Sequence, residues 1–187
     1  MSYKILDCTL RDGGYYTDWK FDTKLVRQLV KSLDSNNVDI IELGYKSPVI
    51  GGPYRKCNDG FINSIIDFKV EADLAFMIDV KDYVINNKIN KSLIEDIIKP
   101  SSVFKVCRVA AKYNEIHYIP EIVKILQNLG YDVICNLMAI SKTLKEEVEA
   151  YTNITQNLNL KAIYIADSYG ALYPKDVKHI LQNKSIN

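Results

Sequence analysis

The chain has 187 residues, of which 48% are hydrophobic and 25% charged, and its formal net charge is +1. This composition is typical of one globular domain over residues 1–187 with enough apolar residues for a substantial core. The balanced charge argues against a nucleic-acid partner, and the lack of a long uncharged apolar stretch argues against a membrane span.

The chain opens with an apolar run at residues 4–6 that predicts a strand, followed by the charged, glycine-containing stretch Asp7-Cys8-Thr9-Leu10-Arg11-Asp12-Gly13-Gly14-Tyr15. Arg11 and Asp12 are neighbours, so on a regular strand their side chains would face opposite sides. We expect the glycines to turn the backbone and bring both side chains to one ligand. The stretch therefore indicates an anion or metal site, with an ordinary surface ion pair as the alternative interpretation.

The rest of the chain repeats one pattern, a short apolar run followed by a segment with apolar residues at helical spacing. Further strands are predicted at residues 40–44, 74–78, 103–109, 133–137 and 162–166. Helices are predicted at residues 23–36, 59–68, 93–98, 120–130, 144–158 and from 174 onward, with Asp22 or Thr23, Pro120, Ser141 or Thr143, and Pro174 at helix starts. Residues 45–58 are predicted to form a long loop, of a length typical of functional or mobile segments.

Six successive strand–helix units predict an α/β fold with a parallel sheet covered by helices. Polar residues stand at or just past the end of every strand: Arg11 and Asp12, Glu42, Asp79, Arg108, Asn136, and Asp167 with Ser168. In a (β/α) TIM-type barrel these ends converge on one mouth, whereas in a doubly wound sheet only strands at the switch point share a crevice. We therefore predict an incomplete TIM-type barrel of about six parallel units.

Four cysteines, Cys8, Cys57, Cys107 and Cys135, are widely separated and lack the spacing of a zinc site. Three of them lie in or beside apolar runs, and the first residues of the chain contain no signal-peptide core. We therefore expect reduced, buried thiols and a cytoplasmic protein.

These motifs together resemble the metal-dependent aldolase and lyase superfamily typified by 4-hydroxy-2-oxovalerate aldolase and hydroxymethylglutaryl-CoA lyase. The segment from Asp7 to Gly14 is similar to that family's D-x-T-L-R-D-G signature. Four later segments follow the family pattern in the same order: Ile41-Glu42-Leu43-Gly44, Arg108-Val109-Ala110, Asn136-Leu137-Met138 and Ala166-Asp167-Ser168-Tyr169-Gly170. The resemblance covers nearly the whole chain.

The resemblance implies a TIM-type barrel that binds a divalent metal, Mn or Mg, and makes or breaks a carbon–carbon bond next to a carbonyl group. It implies that Asp12 is a metal ligand, that Arg11 stabilises the enolate oxygen, and that the substrate is a small 2-oxo acid or related carbonyl compound. Hard ions prefer carboxylate oxygen, and a guanidinium offers fixed donors where negative charge develops. The remaining strand-end residues are then expected to bind substrate: Glu42, Asp79, Arg108, Asn136, Asp167 and Ser168.

The chain departs from the family at the metal and at the base. The family's His-x-His pair at a seventh strand is absent, and His117 and His179 are isolated and expected to have no ligand role. Where pyruvate-forming aldolases have a histidine after the Arg-Asp pair, this chain has Tyr15 and Tyr16. We take Tyr15 as the candidate catalytic phenol, which needs assistance to move a proton near neutral pH because a phenol ordinarily titrates near pH 10.

Six strands also leave two unpaired barrel edges, so we expect a homo-oligomer or a complementing chain that covers them. Two functions stay open. One is an aldolase- or lyase-type enzyme centred on Arg11 and Asp12; the other is an impaired or inactive barrel that binds a partner chain or a small acidic metabolite through Arg11 and Arg108. In the long loop, Arg55 and Lys56 are candidates to meet a carboxylate or phosphate, with solvation as the alternative.

Overall fold

A curled sheet of six parallel strands organises the computed structural model, which describes residues 4–181. The strands of this sheet are β1 (Leu6–Asp7), β2 (Ile40–Tyr45), β3 (Asp73–Asp79), β6 (Val106–Ala111), β7 (Asp132–Leu137) and β8 (Ala162–Ile165), and two further short strands are β4 (Val84–Ile85) and β5 (Lys88–Ile89). The helices are α1 (Thr9–Thr17), α2 (Thr23–Ser35), α3 (Pro53–Lys56), α4 (Asp59–Ile65), α5 (Lys91–Ile97), α6 (Ile119–Asn128), α7 (Lys145–Thr155) and α8 (Pro174–Leu181).

The sheet has the order β1-β2-β3-β6-β7-β8, and every neighbouring pair is parallel. The strands β4 and β5 form a separate antiparallel hairpin. The predicted fold class is therefore confirmed as an incomplete TIM-type barrel, with β1 and β8 as its edges in the described part of the chain. None of the helices within residues 4–181 is long and apolar enough to cross a membrane.

The sheet separates two apolar layers. The outer layer packs the sheet against the helices, and its fully buried side chains include Phe76 of β3 and Ile122 of α6. The inner layer is smaller and consists of Ile40, Ala75, Val106 and Ile134, which lie toward the amino ends of four neighbouring strands. These residues close the barrel interior from below, so the polar residues further along the same strands face the mouth.

One register shift in the sheet places two residues of β2 on the inner face. Glu42 is aligned with Ala75, and Tyr45 is aligned with Met77. The aligned residues are therefore three positions apart in β2 but two positions apart in β3. Between them, Gly44 lies against the backbone of α3, where an added Cβ would stand 1.9 Å from the Tyr54 carbonyl oxygen. Only glycine permits this approach, and the shift turns both Glu42 and Tyr45 toward the interior.

Several local predictions were wrong. The polar turn predicted at Arg11–Gly14 is part of α1, and β1 comprises residues 6–7 instead of 4–6. The strand predicted at 103–109 runs from 106 to 111, and the helix predicted at 59–68 ends at 65. Neither Ser141 nor Thr143 caps α7, because the Glu147 carboxylate accepts the Leu144 backbone N–H at 2.7 Å.

The β4–β5 hairpin was missed by the sequence analysis. Its turn residues Asn86 and Asn87 have φ of 52° and 57°, a left-handed conformation that asparagine tolerates well. The Asn-Asn pair between Val84-Ile85 and Lys88-Ile89 was therefore the available signal. The predicted cap of α2 is confirmed, since the Asp22 carboxylate accepts the N–H groups of Lys24 and Leu25 at 2.8 and 3.0 Å.

The helix α1 ends in a tight turn that folds the chain back on itself. Asp18 and Trp19 both have φ of 53°, and the Trp19 N–H donates to the Gly14 carbonyl at 3.0 Å. The buried Trp19 indole then lies directly on Gly14, where an added Cβ would stand 2.1 Å from Nε1. An added Cβ on the neighbouring Gly13 would meet nothing closer than Phe21 at 3.9 Å.

The two adjacent glycines are expected to respond to alanine with opposite signs. Gly13→Ala should raise the free energy of unfolding by about 0.5–1 kcal/mol, because alanine costs less backbone entropy in a helix. Gly14→Ala should lower it by about 1–3 kcal/mol, because the methyl group displaces the indole. Urea denaturation of the two variants and the wild type measures both changes, and equal shifts would contradict the packing described for Trp19.

Candidate active site

The helix α1 carries three of the predicted site residues to the mouth of the barrel. It starts directly after β1, and its contacts in the sheet are mainly with β2. Arg11 and Tyr15 are four residues apart and so share one face, with Asp12 beside them. The Arg11 Nη1 group donates to Asp12 Oδ1 at 2.7 Å. A helix therefore achieves what a glycine turn was expected to do, which is to place Arg11 and Asp12 at one site.

A buried carboxylate holds the centre of this site. The Glu42 side chain is fully buried, and its Oε1 accepts a hydrogen bond from Arg11 Nε at 2.8 Å. Its Oε2 lies 3.2 Å from Arg108 Nε, an ion-pair contact without hydrogen-bond geometry. Glu42 thus joins two guanidiniums, one from α1 and one from β6. The Arg108 guanidinium also lies over the Tyr164 ring, with its carbon 5.3 Å from the ring centroid.

The charges of this cluster depend on one another. Burial raises the pKa of the Glu42 carboxyl above its ordinary value, while the guanidiniums of Arg108 and Arg11 oppose that rise. Burial also lowers the pKa of the Arg11 guanidinium, but Glu42, Tyr45 and Asp12 outweigh this effect and the net pKa is raised. Arg11 is therefore a permanent cation that is fixed in place by a carboxylate beneath it.

Above this cluster lies a cleft of about 470 Å³. Its lining comes from α1, from the inner face of the sheet and from the loop after β8: Arg11, Asp12, Tyr15, Tyr45, Met77, Arg108, Asn136, Met138, Ala166, Asp167 and Ser168. Seven predicted site residues are thus brought together. Asn136 is 4% exposed, and its Oδ1 has no hydrogen-bond partner among the described residues.

Two predicted residues, Glu42 and Asp79, do not line the cleft. Glu42 lies beneath it, as described above. Asp79 stands at the start of a 3-10 turn (Val80–Tyr83), where its Oδ1 accepts the Lys81 N–H at 3.3 Å and its Oδ2 pairs with the Lys81 ammonium at 2.8 Å. The observed contacts of Asp79 are those of a cap, and its predicted substrate role stays a prediction.

Asp167 and Ser168, in the loop after β8, line the cleft and also stabilise that loop through hydrogen bonds. Asp167 Oδ2 accepts the backbone N–H of Leu172 at 2.9 Å, and this bond lowers the pKa of the carboxyl. The Ser168 hydroxyl accepts the Ala139 N–H at 2.9 Å and so ties the loop after β8 to the end of β7. These bonds fix the far wall of the cleft, opposite α1.

Trp19 and Tyr45, which support the α1 side of the cleft, were not predicted from the sequence. Tyr45 lines the cleft because of the register shift in β2, which the sequence does not reveal. The Trp19 Nε1 group donates to the Arg11 carbonyl at 3.0 Å. Of the two loop cations, Arg55 stacks on the Trp19 ring at 4.3 Å, and Lys56 donates to the Ser47 carbonyl at 2.9 Å. Neither cation is among the cleft-lining residues, and neither is simply solvated.

The described residues do not complete a metal site by themselves. Within residues 4–181 no three His, Cys, Asp or Glu side chains come together in an arrangement that could hold a metal ion. Asp12 offers one carboxylate, and Mn or Mg needs several oxygen ligands. His117 is exposed in a 3-10 turn (Tyr113–Tyr118), away from the cleft lining. His179 belongs to α8, and its side chain falls outside the described part.

The four cysteines are free, and Cys57, Cys107 and Cys135 are buried as expected, while Cys8 is partly exposed. Burial raises the pKa of the Cys57 thiol, and it raises the pKa of Cys135 to about 12. These thiols are therefore core side chains in their neutral form, and none of them belongs to the cleft.

The arrangement of Arg11, Asp12 and Glu42 at a barrel mouth agrees with a comparison of the whole sequence. Residues 2–185 match the model of the HMGL-like family. The chain belongs to this family. The recognition made from the strand-end motifs is thereby confirmed.

Curated relatives and a solved structure extend this comparison. A 4-hydroxy-2-oxovalerate aldolase from Carboxydothermus hydrogenoformans is 28% identical over 94% of this chain and 51% of its own length. A 4-hydroxy-2-oxovalerate aldolase from Rhodococcus jostii is 26% identical over 94% of this chain and 49% of its own length. The crystal structure of the N-terminal domain of a candidate aldolase from Bacteroides vulgatus superposes with a TM-score of 0.80, at 26% identity, over 98% of this chain and 60% of that chain.

This HMGL-like chain spans about half the length of the curated relatives it matches. Within this chain, the residues that match the family model include all six strands of the parallel sheet and all residues that line the cleft.

Replacement of the central carboxylate should be costly. Glu42→Gln should lower the free energy of unfolding by about 3–5 kcal/mol, because it removes the buried counter-charge of Arg108 and leaves Arg11 with only the exposed carboxylate of Asp12. The exposed Glu71→Gln serves as the control and should change stability by less than about 0.5 kcal/mol. Thermal or urea unfolding measures both, and similar small shifts in the two variants would contradict the central position of Glu42.

Proposed function

We propose that the cleft binds a small 2-oxo acid and stabilises its enolate in an aldolase- or lyase-type reaction, which makes or breaks a carbon–carbon bond next to the carbonyl group. The observation that carries this proposal is the Arg11 guanidinium, which lies at the cleft and is held from beneath by a fully buried carboxylate. Membership of the HMGL-like family and the 4-hydroxy-2-oxovalerate aldolases among the relatives support it.

The free donors of Arg11 suit an oxygen that becomes negative during the reaction. Its Nε–H is used by Glu42, and one Nη1–H is used by Asp12. The remaining N–H groups can contact the enolate oxygen of a bound 2-oxo acid. Because Glu42 and Asp12 fix the guanidinium before any ligand arrives, no reorganisation is needed as the charge develops, which is the condition for strong electrostatic stabilisation.

The other cleft residues suit the rest of such a substrate. Arg108 offers a second cation for the carboxylate, and Asn136 and Ser168 offer polar groups on the far wall. In the cleavage direction, the hydroxyl group of the departing fragment loses its proton to water and becomes a carbonyl group as the carbon–carbon bond breaks. The electron pair of that bond forms the enolate, which then takes up a proton at carbon. Tyr15 faces the cleft from α1 and is the proposed source of that proton.

A deuterium-exchange experiment tests enolate formation directly. Pyruvate incubated in heavy water with the protein, with and without added Mn²⁺, should lose its methyl proton signal in NMR. Arg11→Lys should slow this exchange by about 100-fold or more, because lysine cannot replace the fixed guanidinium donors. Arg27→Lys is the control, since Arg27 donates to the Ile65 carbonyl away from the cleft. Exchange that is equally fast in both variants would overturn the role of Arg11.

We also propose that Asp12 supplies one ligand to a divalent metal, Mn or Mg, because HMGL-like aldolases generally depend on such a metal. The described donor set is incomplete, so no step above depends on the metal. In a calorimetric titration with Mn²⁺, Asp12→Asn should weaken binding by about tenfold or more, because a hard ion prefers a charged oxygen. Asp96→Asn, an exposed change on α5, is the control. Wild-type binding that Asp12→Asn leaves unchanged would remove Asp12 from the metal site.

The second candidate function is non-catalytic binding. The incomplete metal donor set among residues 4–181 favours it, because the cleft keeps two cations, Arg11 and Arg108, that suit a small acidic metabolite. Saturable pyruvate binding without proton exchange would identify this alternative.

We further propose that a second copy or a complementing chain covers the open edges of the sheet. Large apolar side chains are exposed near both edges, with Ile5 before β1 and Ile163 on β8 at 57% and 41% exposure. Tyr169 and Tyr173, in the segment between β8 and α8, are also exposed. Exposed apolar residues beside an unpaired strand are typical of a surface that associates with another chain.

A further inference from the structure

Two tyrosine hydroxyls meet at the wall of the cleft. The oxygen of Tyr15, on α1, lies 2.9 Å from the oxygen of Tyr45, at the end of β2, and both residues line the cleft. Their environments differ strongly, because Tyr15 is 62% exposed and Tyr45 is 5% exposed. One phenol can therefore exchange its proton with solvent, whereas the other is enclosed by the protein.

The pair is held by a fixed cluster of rings and cations. Trp19 packs edge-on against Tyr15 at 4.9 Å and against Tyr45 at 5.6 Å between ring centroids. Arg55 stacks on Trp19 and lies 5.4 Å from the Tyr45 centroid. The loop that carries Arg55 is bonded to the turn after α1, since the Gly52 N–H donates to the Asp18 carbonyl at 2.9 Å. Neither ring can turn away without breaking this packing.

We propose that Tyr45 is a positioning residue that orients the Tyr15 hydroxyl and stabilises its phenolate during proton transfer to and from the enolate carbon. This inference rests on the proposed function, and it names the group that assists Tyr15. In this proposal, Tyr45 is the donor of the 2.9 Å hydrogen bond and Tyr15 is its acceptor, so that the Tyr15 O–H is free to serve the substrate in the cleft.

The proton that the enolate takes up comes from Tyr15, and Tyr15 recovers a proton from water. When the enolate takes up a proton, the Tyr15 O–H bond breaks, a C–H bond forms at the enolate carbon, and the carbonyl group is restored. The negative charge passes to the Tyr15 oxygen, where Tyr45 donates its hydrogen bond, and Tyr15 then regains a proton from water. In the reverse direction the Tyr15 phenolate removes a proton from the carbon next to the carbonyl.

The surroundings of the pair support this division of roles. Burial and the hydrogen bond to Tyr15 raise the pKa of Tyr45, so Tyr45 keeps its proton and acts as the donor. The charged groups that face the pair are Arg11 and Asp12 of α1, Glu42 of β2, Arg55 of α3, and Lys81 after β3. Arg55 and Lys81 favour a phenolate at the pair. The negative charges of Glu42 and Asp12 oppose it, and their ion pairs with Arg11, and of Glu42 also with Arg108, offset that opposition.

Proton exchange of pyruvate in heavy water, followed by NMR over a range of pH, tests the pair. Tyr15→Phe should slow exchange by about 100-fold or more, because the proton donor is lost. Tyr45→Phe should slow it by about tenfold, since it removes one hydrogen bond to the phenolate, and should move the rising limb of the pH profile to higher pH. The double variant should be no slower than Tyr15→Phe, because Tyr45 acts only through Tyr15.

Controls separate a positioning role from a general loss of structure. Tyr16→Phe, at a neighbouring residue that is 95% exposed, should leave the rate and pH profile unchanged. Trp19 is the single tryptophan of the chain, so an unchanged emission spectrum shows that the ring cluster is intact in Tyr45→Phe.

The outcomes distinguish a failure of the proposed function from a failure of the role assigned to the tyrosine pair. Absence of exchange by the wild type, with and without Mn²⁺, refutes the proposed function and with it the role of the pair. Wild-type exchange that Tyr45→Phe leaves unchanged in rate and pH profile refutes the pair alone. A slower rate in Tyr45→Phe with an unshifted pH profile also refutes it, because only a stabilised phenolate predicts the shift.

Discussion

The ion cluster around Glu42 is the interaction on which the rest of the site depends. A carboxylate without solvent contact is costly to bury, and here two guanidiniums offset that cost from different elements, Arg11 from α1 and Arg108 from β6. Through Glu42 the cluster joins α1, β2 and β6, which are distant in the chain. The same contacts that compensate the buried charge also orient the guanidinium that faces the cleft.

The sequence predicted the sheet well because parallel strands in a barrel leave a plain signature. Each strand is apolar on both faces and ends in a polar residue, and this pattern gave the fold class and six of the cleft residues, including Arg108 and Asn136. The seventh, Tyr15, followed from the family resemblance. The local structure of residues 9–17 was predicted wrongly because Gly13 and Gly14 suggest a turn. Their helical conformation depends on tertiary packing, since the Trp19 indole lies where a side chain at position 14 would stand.

The position of Tyr45 could not be predicted for a related reason. If side chains alternated strictly along β2, Glu42 would face the interior and Tyr45, three residues later, would face the outer side of the sheet. The register shift reverses this orientation, and it coincides with the close approach of α3 to the backbone at Gly44. That approach involves a loop whose path is set by contacts with residues 18–19, far from β2 in sequence. Sequence periodicity carries no information about such a contact.

The two ends of the barrel interior have different physical tasks. At the amino ends of the strands, small and branched side chains such as Ala75 and Val106 fill the interior, and Lys161 pairs with Asp73 at 2.7 Å. This ion pair keeps the pKa of Asp73 low despite the opposing effect of burial, since Lys161 and Lys105 both contact it. The amino end of the interior is thus filled by apolar packing and ion pairs. At the mouth, by contrast, the Tyr15 side chain is exposed to solvent, and the buried Asn136 Oδ1 has no hydrogen-bond partner among the described residues. A core with a purely structural role would not retain an unpaired buried amide oxygen, so these groups point to a ligand at the mouth.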